Sequence, residues 1–517
     1  MRFLIFGSRD LVEPLKTAGH EVICAGTDDD ADLCIPDPDP EWALVSKKLR
    51  TINYQPDIVL VNDNIGQRTL PTGLWGSVVP TIFYGLDAPL NRFWQTPYAR
   101  LFDLAALDQK PDVELLRQKH DRSFWLPVGI NPDYYEGSRI EPEKPGVCFI
   151  GVINDQLRPK RSAVLKKIHE IATVATFGGR QDKWFSTVEA VKCYQSYMVS
   201  LNENLFPGLT TRPLEIMASG GCLFSEQTNS GMDDYFRDNE HLLYYNPANI
   251  SENLKELLKN QPLRQKLAKH GREEVLAQHT LSKRVKQLLS LLQYPMPVER
   301  VNAKLALPLE GEALLWAGLR WPQHGARRIL RARGRLKVAA STLQDSYSCF
   351  LAGMAEAALN QWDTATAFWE KGWESANKGE NKYALILGLG LWQQQKESAG
   401  KKVWKKYLDI KSTPGKAVFH EKAGNILFQA GDELCAGFNK ANLWFGAWTA
   451  MEHWLYALQL GLKEKKLSED LAIALGSLLL KHKAPNQAYD CLSLVSNSKN
   501  PQLQELTEQA AREGYII

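Results

Sequence analysis

Residues 200–227 read SLNENLFPGLTTRPLEIMASGGCLFSEQ. Leu201 ends an apolar strand, Pro207–Gly208 makes a loop, and Thr210 or Thr211 is placed to cap a helix whose first turn accepts Pro213. Gly220–Gly221 stops that helix and a new strand starts at Cys222. Strand, loop, helix, strand is the unit of a parallel sheet with crossover helices. The start of such a helix offers backbone N–H groups to an anion at the carboxyl edge of the sheet. Arg212 adds a cation there, and Glu215, about one turn on, can accept hydrogen bonds from two neighbouring hydroxyls. A diphosphate on the N–H groups and a ribose on the carboxylate would satisfy that arrangement.

The same alternation extends in both directions. Val147–Gly151, Thr173–Phe177, Tyr197–Leu201, Cys222–Ser225 and Leu242–Tyr244 read as strands, with helices at Lys160–Glu170, Ser251–Asn260 and Leu263–Ala277. Upstream, Arg2–Phe6, Glu21–Ala25, Asp57–Asn62 and Thr81–Tyr84 are further buried strands, with a helix at Trp42–Leu49. The polar stretch EGSRIEPEKPG, residues 136–146, separates the two runs. Two doubly wound units in tandem leave a cleft lined by the carboxyl ends of both sets of strands.

The 200–227 stretch resembles the C-terminal half of GT-B glycosyltransferases, particularly the CgeB-like group: an LN strand end, an R-x-x-E helix and an A-x-G-G turn. LPVGINPDYY (126–135) is similar to the hinge before the second domain of that family. NQPLRQKLAKHGREEVLAQHTLSKRVKQLL (260–289), with His279, Thr280 and Arg284, is similar to its closing helices. Phe149–Gly151 followed by Arg158 and Arg161 resembles the first strand and turn of its second domain. The resemblance covers about residues 1–292. It implies transfer of a sugar from a nucleotide diphosphate sugar, a UDP-sugar being favoured, with no permanently bound cofactor and no metal. By that likeness Asn202 ends the strand at the donor site, Glu215 holds the donor ribose, and Arg212 with Thr210 and Thr211 meets the diphosphate. One departure stands out: Pro207 occupies the place where many retaining relatives carry a sugar-contacting glutamate, eight positions before Glu215.

Other candidates follow from chemistry. Arg158, Lys160 and Arg161 follow a strand and open a helix, where they can neutralise a departing diphosphate. Gly7 follows the first strand and permits close approach of a ligand to the backbone. An inverting transfer needs a base near the acceptor hydroxyl; Asp87, after the strand at 81–84, is the first candidate and Asp63 the second. His20 precedes a strand and reads as structural. No metal site is expected: Asp28–Asp30 and Asp37–Asp39 lie in turn-rich sequence and read as solvated loops.

After YPMP (294–297) the texture changes. From about residue 340 only helices are expected, with a small/large order that recurs: Gly353, Ala365, Trp369; Gly388, Gly400, Trp404; Gly476, Ala488, Leu492. This resembles the tetratricopeptide (TPR) repeat, in which stacked helix pairs form an extended binding surface. The stretch 424–457 fits only with an insertion. Arg320, Arg327, Arg328, Arg331, Arg333, Arg335 and Lys337 form a basic cluster that reads as a connecting segment with peripheral affinity for an anionic surface.

Composition sets the outer bounds. A chain of 517 residues, 44% apolar and 23% charged, has material for several cores. A net charge of +3 makes no case for nucleic acid. The eight cysteines include no CxxC pair, which excludes paired-cysteine zinc and redox motifs and suits a reducing compartment. No signal peptide or apolar run of membrane length is read, so a cytoplasmic address is expected. The expected fold is α/β plus all-α: two facing Rossmann-like domains at 1–140 (acceptor side) and 141–292 (nucleotide-sugar side), a basic linker at 293–340, and a TPR-like solenoid at 341–517. The expected function is a hexosyltransferase-type glycosyltransferase whose repeats recruit a protein acceptor, such as flagellin or another bacterial surface protein. A lipid- or polysaccharide-directed transferase, a sugar-nucleotide epimerase and an inactive binding scaffold are the alternatives.

Overall fold

The computed structural model describes residues 1–63, 69–137, 143–154, 158–178, 185–206, 208–228, 230–294, 301–321, 323–377, 380–432, 449–482, 484–495 and 498–515. The first domain runs β1 (Arg2–Gly7), α1 (Val12–Thr17), β2 (Glu21–Gly26), β3 (Leu33–Cys34), α2 (Trp42–Thr51), β4 (Ile58–Asn62), β5 (Thr81–Gly85), α3 (Ala88–Ala99), β6 (Leu104–Leu107), α4 (Lys110–Arg117) and β7 (Ser123–Trp125). Its strands form one sheet in the order β3-β2-β1-β4-β5-β6-β7, all parallel. β4 and β5 are buried along their whole length, as continuous apolar runs covered on both faces must be. β6 and β7 were not visible in the sequence. LAAL and SFW are too short and too poor in β-branched residues to stand out.

The second domain runs β8 (Lys144–Ile150), α5 (Pro159–His169), β9 (Val174–Phe177), α6 (Thr187–Ser196), β10 (Tyr197–Asn202), α7 (Thr211–Ala218), β11 (Leu223–Glu226), β12 (Leu243–Tyr245), α8 (Ile250–Lys259), α9 (Gln261–Gln278) and α10 (Leu281–Leu291). Its parallel sheet has the order β12-β11-β10-β8-β9. The order reverses between β1 and β4 in the first sheet and between β8 and β10 in the second. Those switch points are where open α/β sheets take ligands. α10 returns to the first domain, where Val285 and Leu288 join the core of Phe3, Ile5 and Leu15. The hinge segment is pinned by backbone pairing of Ile130 with Thr280 and by Arg284, whose Nε donates to the Val128 carbonyl at 3.0 Å.

The helical region comprises α11 (Ala303–Arg320), α12 (Gly325–Leu343), α13 (Ser346–Ala358), α14 (Trp362–Glu374), α15 (Asn381–Gln393), α16 (Glu397–Leu408), α17 (Ala417–Gln429), α18 (Ala450–Glu464), α19 (Glu469–Lys481), α20 (Pro485–Ser493) and α21 (Pro501–Glu513). The reading of 293–340 as a linker is corrected: α11 and α12 are long packed helices, and α11 lies on α3 with Trp321 against Phe93 and Trp94. The core is continuous from the first domain through this region. The basic cluster is also corrected as an anionic-surface site, because six of its seven charges are paired internally. Arg327 and Arg331 pair with Asp37, Arg328 with Asp39, Arg335 with Glu41 and Glu310, and Arg333 and Lys337 with Glu356. Asp39 is therefore fully buried and not part of a solvated loop.

The small/large order has a physical basis. A Cβ on Gly353 would meet the Trp369 ring at 2.2 Å, one on Gly388 the Trp404 ring at 2.1 Å, and one on Gly476 the Leu492 side chain at 2.6 Å. Gly424 meets Trp454 in the same way, at 2.3 Å. Trp444 and Trp448 lie outside the described residues. The far end of the region reaches the second domain, with α20 beside α5 and the Tyr515 ring 6.4 Å from that of Tyr245. Among the described residues no helix is long and apolar enough to cross a membrane.

Candidate functional site

At the second switch point, β8 and β10 deliver Ile150 and Asn202 side by side, and α7 starts opposite them. Thr210 occupies the N-cap position in an extended conformation, but its side chain makes no cap hydrogen bond, and Thr211 is exposed. The first turn of α7 thus keeps its N–H groups without a side-chain acceptor. Arg212 is held from three directions: Nε donates to the Ile150 carbonyl at 3.0 Å, and Nη1 to Asn202 Oδ1 at 3.1 Å and the Glu203 carbonyl at 3.3 Å. Its guanidinium also lies over the Phe149 ring, as does that of Arg161. Asn202 is buried; its amide donates to Asn204 and Ser225, so its part is to aim Arg212.

Arg161 Nε donates to Glu203 at 2.7 Å, and Lys160 pairs with Glu226 at 2.8 Å and Glu203 at 3.5 Å. Lys160 is thus spent on two carboxylates and serves to anchor α5. Against the cost of burial, Lys160 and Arg161 hold the Glu203 carboxyl below its ordinary value. Among the described residues Arg158 has no ion-pair partner; burial and then Arg161 lower its pKa, with Arg212 adding to the effect. Four cations, Arg158, Lys160, Arg161 and Arg212, meet two carboxylates, Glu203 and Glu226. Arg158 and Arg212 are the two left outside those ion pairs, crowded at one switch point, with the Asp87 and Glu215 carboxylates within electrostatic reach.

Glu215 is half-buried on α7, within electrostatic reach of Arg212, Tyr135 and Tyr194. Burial raises its pKa, opposed by Arg212. Its carboxylate makes no hydrogen bond among the described residues.

Across the gap, Asp87 caps α3 in a left-handed conformation with φ 51°, and its charge is felt by Arg158 of the other domain. Its N–H donates to Asp108 at 2.9 Å. Asp108 is buried, and burial together with the Asp87 charge pushes its pKa up to about 7. Asp63 is buried at the end of β4 and accepts from Gln95 Nε2 at 2.9 Å, which ties the strand to α3. Gly7 has φ 90° and its absent Cβ would stand 2.0 Å from the Asn62 carbonyl oxygen. The close approach it permits is therefore to β4. Arg158, Arg161 and Arg212 lie within electrostatic reach of one another, Glu215 acts on Arg212, and Asp87 of the first domain acts on Arg158. Glu203, Asp108 and Gln109 were missed in sequence; a charged or amide residue just beyond a strand end is the signal that marks them. Among the described residues no group of three or more His, Cys, Asp or Glu side chains converges as a metal site would require.

Residues 161–290 match the family model described as glycosyl transferase-like. Solved structures similar to the chain include a glycosyltransferase from Rickettsia africae ESF-5 (11% identity, 57% of this chain and 99% of that one, TM-score 0.40). Two others are Anabaena Alr3699/HepE in complex with UDP-glucose (10%, 57% and 100%, TM-score 0.40) and sucrose-phosphate synthase from Thermosynechococcus elongatus (12%, 56% and 99%, TM-score 0.39). No curated protein matches. Two doubly wound parallel domains joined by a returning helix give the chain a GT-B-type architecture of two Rossmann-like domains, and the glycosyl transferase-like match falls on the second of them. A large helical region follows the two domains.

Proposed function

We propose that the donor is a nucleoside diphosphate sugar, a UDP-sugar first among them, bound on the second domain. Its diphosphate sits against Arg158, Arg161, Arg212 and the start of α7, and Glu215 grips the ribose hydroxyls. The observation that carries this is the pair of guanidinium groups at the β8–β10 switch point, Arg158 and Arg212, which no ion pair among the described residues engages and which a diphosphate can take up. The acceptor hydroxyl lies on the first-domain side, near Asp87. As its oxygen bonds to the anomeric carbon, the bond from that carbon to the diphosphate breaks. The electron pair leaves with the diphosphate, and Asp87 takes the hydroxyl proton. Charge growing on the leaving oxygen meets guanidinium groups already fixed by Asn202, Glu203 and backbone carbonyls, so little reorganisation is needed.

The acceptor is a macromolecule, preferably a protein, presented by the helical region. The support is that the region is anchored on the first domain at its start and touches the second at its end, so whatever it holds lies near both. A thermal-shift panel of sugar nucleotides tests the donor: the true one raises the melting temperature by mass action, and Glu215→Ala abolishes the shift. A panel in which no nucleoside diphosphate sugar stabilises the chain refutes the reading.

A further inference from the structure

Gln109 is 1% exposed and stands just before α4, yet its amide is wholly engaged. Nε2 donates to the Leu209 carbonyl at 2.9 Å and to Asp108 Oδ2 at 3.1 Å, and Oε1 accepts the Leu209 N–H at 3.1 Å. One side chain of the first domain thus pairs with both backbone groups of a residue in the second, as a neighbouring strand would. Leu209 lies two residues before α7. Gly208 is shaped to the contact: with φ 154°, its absent Cβ would fall 1.9 Å from Gln109 Oε1. The next link is Asp108, 2% exposed, whose Oδ2 and Oδ1 accept the N–H groups of Asp87 at 2.9 Å and Ala88 at 3.2 Å.

Resting on the donor and base assignments above, we propose that Gln109 and Asp108 are positioning residues. They form a relay that ties the approach to the donor helix α7 to the loop carrying Asp87, and that exists only while the two domains are closed. A buried polar group left without its partner is costly. Opening the cleft strips Gln109 of both Leu209 bonds, so the relay makes closure and placement of Asp87 a single event. α7 and Asp87 belong to different domains, and Leu209–Gln109–Asp108 joins them through hydrogen bonds.

Hydrogen exchange on the full chain tests this without any acceptor. Gln109→Ala should speed exchange of the Leu209 amide at least tenfold, and with it that of the Asp87 and Ala88 amides, while α18 stays unchanged. Faster exchange at Leu209 alone overturns the relay. Gln109→Glu is the second variant. A protonated carboxyl has one donor and one acceptor and can remake the Leu209 pair; an ionised one faces the Leu209 carbonyl and Asp108 with no donor. Burial among these groups raises a carboxyl pKa, so Leu209 protection in Gln109→Glu, relative to wild type at each pH, should return below about pH 6 and vanish above it. A profile as flat as that of Gln109→Ala overturns the proposal. Nucleotide binding by Glu215→Ala is measured alongside: unchanged binding there sinks the donor assignment while leaving the exchange result standing.

Discussion

Arg328 of the helical region and Asp39 of the first domain form a two-pronged buried ion pair, Nε to Oδ2 and Nη2 to Oδ1, both at 2.8 Å. Their side chains are 2% and 0% exposed. Removing one partner leaves a charge stranded in the core, at a cost of about 3–5 kcal/mol. Arg328→Ala should therefore lower the denaturation midpoint strongly. Arg327, 45% exposed in its pair with Asp37, is the contrast. Arg327→Ala should cost no more than about 1 kcal/mol. Urea titration of both variants checks the ordering, and equal losses would show that the clamp is not centred on Arg328.

On the proposed donor reading Glu215 and Arg158 divide the nucleotide between them, and simple ligands separate their parts. Each contact to a charged group is worth about 1.5–3 kcal/mol, or roughly 10- to 150-fold in affinity. Glu215→Ala should weaken uridine and UDP alike, because both carry the ribose. Arg158→Ala should weaken UDP and leave uridine nearly untouched. Titration calorimetry with the two ligands decides, and a Glu215→Ala variant that loses only UDP would move that residue from the ribose to the phosphates.

The sheet edge on which the candidate site lies is legible in the sequence. Strand ends fall where apolar runs meet Gly, Asn or Asp, so Asn202, Arg212 and Glu215 could be placed on one edge from the 200–227 stretch alone. The recurrence of small and large residues in the helical region is legible too, but it reads as small residues letting paired helices touch and a large one filling the gap to the next pair. That Gly388 and Gly353 admit Trp404 and Trp369 is what the structure adds. Partnership across long separations is not legible. Nothing local in 320–337 says that its arginines meet Asp37, Asp39 and Glu41, some 290 residues away, so a neutralised clamp read as a free basic patch. Lys160 and Gly7 have partners that sequence does not announce either. Their type and position suit a ligand, but Glu226 and the Asn62 carbonyl reach them first.

Asp108 makes stability depend on pH. Unfolded, an aspartate ionises near 3.8; folded, Asp108 keeps its proton up to about 7, through burial and the nearby Asp87 charge. Between those values the folded chain binds the extra proton, so this contribution is fully present below the lower one and is lost as pH rises through the upper one. The change is at most on the order of 4 kcal/mol. Asp108→Asn should flatten the melting temperature over that window relative to wild type. An unchanged profile would assign the proton to another group.

The glycines of the helical region predict opposite signs for one substitution. Gly388 in α15 faces Trp404, which is fully buried and donates Nε1–H to the Leu385 carbonyl at 3.2 Å. A methyl group there would stand 2.1 Å from that nitrogen. The ring must move, breaking its hydrogen bond and the packing of α15 on α16. Overpacking of this kind costs about 1–3 kcal/mol. Gly334 in α12 has open space around its Cβ position. Alanine there only removes the entropy penalty of glycine in a helix and should stabilise by about 0.5–1 kcal/mol. Thermal unfolding of Gly388→Ala and Gly334→Ala should therefore shift in opposite directions. Pairing Gly388→Ala with Trp404→Leu, which vacates the space, should cost less than the sum of the two single changes. Strict additivity would mean that the glycine is not there to admit the tryptophan.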